Sequence, residues 1–95
     1  MDSRFEGLPG ADLVVQGLAD RARGVVSVEA LLVSIGAPRL RGLGVVVPVG
    51  EPDHPEQALY VALEQAFGLE AHARYNALIR RLVSFERALE VRTLL

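Results

Sequence analysis

The sequence predicts an all-α fold, a compact bundle of four to five helices, and three observations carry that prediction. Apolar residues recur at three- and four-residue spacing through most of the chain. Gly24, Gly36, Gly44 and Gly68 stand where those stretches end, as helix stops do. Only Val45-Val46-Val47-Pro48-Val49 has the β-branched content of a strand, and no second strand pattern exists to pair with it.

Taken in order, residues 1–9 read as a loose lead-in, because Pro9 and Gly10 together mark a turn. A first helix is expected over 10–23. Ala11, Val14, Val15, Leu18 and Ala22 form its inner stripe, with Asp12, Gln16, Asp20, Arg21 and Arg23 on the other side. Gly17 inside that helix costs about 1 kcal/mol relative to alanine, which points to close approach by a neighbouring helix.

Ser27 is suited to cap the next helix, with Val26 packing on Leu31 as a hydrophobic staple. That second helix is expected over 28–35, apolar on nearly every side and therefore central. Gly36 should end it, and Pro38 should open a short third helix over 38–43. Residues 45–49 follow as an extended crossing segment, since Pro48 removes a ladder donor. The proline-rich connector ends in Asp53 and Glu56 at capping-box spacing, leading into a helix over 54–67. A last helix over 69–92 carries the strongest signal, because Ala71, Tyr75, Leu78, Leu82, Phe85 and Leu89 alternate steps of four and three. Residues 1–95 thus read as a single helical domain.

Composition narrows function mainly by exclusion. Apolar residues make up 51% of the 95, leucine and valine dominate, and tryptophan is absent, so the core must be aliphatic. Surplus aliphatic surface on so small a chain favours self-association or another helical protein as partner. The formal charge of −2 gives no general attraction for nucleic acid or an anionic membrane. Absence of cysteine excludes disulfides, thiolate nucleophiles and sulfur-ligated zinc, and with no apolar span or leader pattern the expected setting is cytoplasmic.

No cofactor or metal is implied, because His54 and His72 do not have metal-ligand spacing and no phosphate loop or nucleophile elbow is present. One polar constellation stands out: His72, Asn76, Arg80 and Arg87 share a face of the last helix, where arginines could hold an anion and the histidine could carry a proton. An ordinary solvated helix back explains the same pattern. Segment 27–43 has the outline of a helix-turn-helix with Arg39 and Arg41 as nucleic-acid contacts, although the second helix is short and begins with proline. The reading that follows is a non-enzymatic helical interaction or oligomerisation module. The alternatives are a small DNA-binding regulator and an anion-binding or catalytic protein using the last helix.

Overall fold

A computed structural model describes residues 3–94. Four α-helices follow one another: α1 (Ala11–Ala22), α2 (Val28–Gly42), α3 (Pro55–Phe67) and α4 (Ala71–Leu94), with 3-10 turns at Ser3–Phe5 and Gly68–Glu70. No strand occurs among the described residues. The helix α2 is the hub, packed against α1, α3 and α4.

The reason α2 is central lies in its residues. Ala30, Leu31, Leu32, Val33, Ala37 and Leu40 are all buried, which no single flat interface would achieve. Ser27 caps it as expected, accepting the Ala30 N–H at 3.0 Å. The expected break at Gly36 does not occur, so the segments 28–35 and 38–43 are one helix running through both Gly36 and Pro38. Gly36 serves packing instead: a Cβ there would stand 3.0 Å from Leu82 Cδ1 and 3.1 Å from Glu86 Oε2 on α4. Burial against three helices outweighs the hydrogen bond that Pro38 cannot make.

Both α1 and α2 end in the same device. Gly24 and Gly44 take left-handed conformations, φ 72° and 87°. Val25 N–H then returns to Asp20 O at 2.8 Å, and Val45 N–H to Leu40 O at 2.9 Å, closing two Schellman motifs. The helix α3 starts with Pro55 in its first turn, but its N-cap is His54 with no side-chain hydrogen bond. The capping box expected from Asp53 and Glu56 is therefore not formed, and the start rests on the proline geometry.

The α4 seam is buried as its spacing implied, with Ala71, Leu82, Phe85 and Leu89 in the core and Tyr75 and Leu78 packed against it. Its partner is the rest of the same chain. The lead-in is a correction: Phe5 is buried and meets Phe85 edge to face at 5.3 Å. Arg92 clamps the same stretch by donating to the carbonyls of Arg4 (2.8 Å) and Glu6 (2.7 Å). Aromatic packing and two charge-assisted hydrogen bonds thus fix residues that Pro9 and Gly10 suggested were loose. Met1 and Asp2 of that lead-in lie outside the described residues. Residues 45–49 carry no helix or strand, and Val45 and Val47 are buried while Val46 and Val49 face outward. No helix among the described residues is long and apolar enough to cross a membrane.

Candidate functional site

The polar face of α4 assembles only in part. Asn76 Nδ2 lies 3.1 Å from His72 Nε2, one helical turn away, and the Tyr60 ring on α3 stands 6.3 Å from the imidazole and 5.6 Å from Tyr75. Arg80 and Arg87 are exposed on the same helix and share no hydrogen bond with His72 or Asn76. The four residues form a surface stripe in which only one pair is joined.

The other two arginines singled out in the sequence have internal partners. Arg39 pairs with Glu90 of α4 at 3.0 Å, both side chains about half exposed. Arg41 donates to the carbonyls of Val47 (3.1 Å) and Pro48 (2.9 Å) and grips Glu51, with Nη1 3.0 Å from Oε2 and Nη2 on Oε1. Segment 27–43 holds the single helix α2 between its caps Ser27 and Leu43, so the helix-turn-helix outline is not realised there, and Arg41 is engaged with the chain's own connector. Local spacing gives Gly36 the form of a stop, while tertiary burial against Leu82 and Glu86 makes it a contact.

A different constellation emerges around Arg21, which the α1 pattern placed on a polar face. Its side chain is only 9% exposed. Nη1 donates to Ser34 Oγ on α2 at 2.9 Å, and Nη2 donates to Pro48 O at 2.6 Å and lies 3.4 Å from Glu51 Oε1. Ser34 in turn donates to Ala30 O. Arg21 and Arg41, each in the last turn of its helix, therefore strap residues 47–51 to the bundle through one shared carboxylate. Arg41 first, with Arg21 assisting, holds the Glu51 carboxyl down at about 2. Nothing in the sequence marks Ser34 or Glu51 as site residues, because partners 13 and 30 residues from Arg21 leave no local spacing to detect. The one available signal was that both arginines precede a glycine stop.

Beside this strap lies a cavity of about 470 Å³ between the α1–α2 turn and residues 49–52. Val25, Val26, Leu31, Val49 and Ala58 give it aliphatic walls, and Arg21 and Ser34 give it one polar end. It continues across Val26, Leu31 and Ala58 into a more open groove of about 450 Å³ on α3, flanked by Val61, Ala62, His54, Gln57 and Gln65. Val26 is 81% exposed, so the staple expected with Leu31 does not cover it and both residues line these concavities instead.

Two buried carboxylates complete the electrostatics. Asp20 accepts from Ser27 Oγ (2.6 Å), Arg23 Nη2 (2.6 Å) and Gln16 Nε2 (2.9 Å), which hold its pKa below the ordinary value, Ser27 contributing most. Glu86 is pushed upward by burial, with only a partial offset from Arg39. Among the described residues no group of three or more histidines and carboxylates converges as a metal ion would require. No protein-family model matches the chain, and no curated protein or solved structure is detectably similar to it.

Proposed function

We propose that this chain is a non-enzymatic interaction module that pairs with a second copy of itself through the face formed by Val26, Ala58, Val61 and Ala62. The observation carrying this reading is the chemistry of the open groove: Val26, Leu31, Ala58, Val61 and Ala62 make its lining mostly aliphatic, His54, Gln57 and Gln65 are its polar members, and it contains no arginine, aspartate or glutamate. Interface centres are depleted of charged side chains in the same way. The α4 seam, the surface the sequence first suggested for pairing, is already filled by the chain's own core residues, so the face on α3 takes its place.

A second copy suits this face because the formal charge of −2 opposes association only weakly. A twofold arrangement would set each Val26 and Val61 against the same groove of the other copy. Sedimentation equilibrium at tens to hundreds of micromolar tests it. A reversible dimer is expected, and Val26→Asp combined with Val61→Asp should shift it to monomer with helical circular dichroism unchanged. Wild-type protein that stays monomeric across that range rejects the reading.

A further inference from the structure

We propose that the cavity between the α1–α2 turn and residues 49–52 is a binding site for a medium-chain monocarboxylate, with its tail against Val25, Val26, Leu31 and Val49 and its head at the Arg21 guanidinium. This goes beyond self-association and concerns the other end of the apolar face. Its volume of about 470 Å³ lies in the range of small-ligand pockets, which are typically apolar with a few convergent polar groups.

Charge selects an anion for the polar end. Two guanidiniums, Arg21 and Arg41, share the single carboxylate of Glu51, so the strap carries one uncompensated positive charge. Glu51, held down at about 2, is fully ionised at neutral pH, and that count stands. The neighbouring Arg23 does not alter it, being paired with Asp20. Arg21 also has a donor to spare. A guanidinium has five N–H groups, and those on Nη1 and Nη2 serve Ser34, Pro48 and Glu51, while Nε–H has no acceptor among the described residues. No sealed side-chain nitrogen lacks a partner, so Nε reaches open space, and Arg21 lines this cavity.

Aliphatic walls decide the remainder of the ligand. A phosphate or dicarboxylate would set further charge against Val25, Val49 and Ala58 with no second cationic side chain in the lining to meet it, which desolvation penalises heavily. A single carboxylate on an unbranched chain satisfies both ends.

Isothermal titration calorimetry at neutral pH and low salt, using octanoate, n-octanol and acetate as probes, tests the assignment. Octanoate should bind and raise the melting temperature, n-octanol should bind at least about tenfold more weakly for want of the charge-assisted hydrogen bond, and acetate should not bind measurably. Ala58→Phe adds bulk to the apolar wall while leaving the Arg21 side chain unsubstituted and should abolish octanoate binding. Val49→Glu, at a position 88% exposed and therefore safe for folding, should weaken it by charge repulsion. Equal affinity for octanoate and n-octanol overturns the proposal, as does octanoate affinity unchanged in both variants. Tighter binding of acetyl-Val-Val-Leu with a free carboxylate than of octanoate would also overturn it, by making the site a receptor for peptide termini. Because Val26 and Ala58 also line the dimer face, calorimetry is run below the concentration at which sedimentation detects dimer, so that the cavity and the dimer are read separately and either can fail alone.

Discussion

The two flanks of α2 use the same pair of devices, a glycine notch and a buried carboxylate, with opposite electrostatic results. On the α1 side Gly17 lets the two helix backbones touch, since a Cβ there would clash with Glu29 O and stand 2.5 Å from Val33 Cγ2. One turn further on, Asp20 is 4% exposed and meets three donors. On the α4 side Gly36 faces Leu82 and Glu86, and Glu86, 7% exposed, has no hydrogen-bond donor among the described residues. Close packing thus buries a carboxyl on both sides, and the donors supplied decide whether burial favours or opposes its charge.

The largest effect should come from Gly17→Ala. Its added methyl meets a backbone carbonyl that cannot move alone, so a loss of about 3 kcal/mol is expected from urea unfolding, and a variant as stable as wild type would show the α1–α2 contact to be looser than described. Next comes Asp20→Asn. The native pKa of Asp20 lies below the ordinary 3.8, so the folded state binds fewer protons than the unfolded state between the two values. Its stabilisation is present above 3.8 and lost as pH falls through the native value. The asparagine variant should melt below wild type at neutral pH and approach it in acid; a constant gap from neutral pH to about pH 2 would contradict the three-donor account.

Smaller consequences follow on the other flank. Gly36→Ala meets only the ends of flexible side chains, and better helix propensity offsets much of the crowding, leaving a change within about 1 kcal/mol of zero. A loss matching that of Gly17→Ala would erase the contrast. Glu86→Gln should raise stability by about 0.5 kcal/mol at neutral pH by removing a poorly solvated charge. Here the native pKa lies above 4.5, so the penalty is absent below 4.5 and fully developed above the raised value. The gain should accordingly vanish in acid, which a melting series against pH reads directly.

These contrasts bear on what could be read from residue order. Gly17 was legible as a close approach because a glycine within an apolar-periodic helix has few other uses. Gly36 was not, because glycine followed by Pro38 has the local form of a helix stop, and only contact with Leu82 and Glu86 makes it a notch. Asp20 read as solvent-facing, since helical spacing places it opposite Val14 and Leu18, yet the turn through Ser27 folds back over it. Of the candidate site, Arg41 was visible as a cation but was given an outside partner, while Arg21, Ser34 and Glu51 were joined only by the fold.

Residue order alone determined the helical class, the Ser27 cap, the glycine stops at Gly24, Gly44 and Gly68, and the inward seam of α4. All of these depend on interactions within one or two turns, which spacing records. The continuity of α2, the anchoring of Phe5, the strap from Arg21 and Arg41 to Glu51, and the cavity beside it were decided by tertiary structure. Each depends on groups distant in the chain meeting in low dielectric, where packing and charge pairing override local preference.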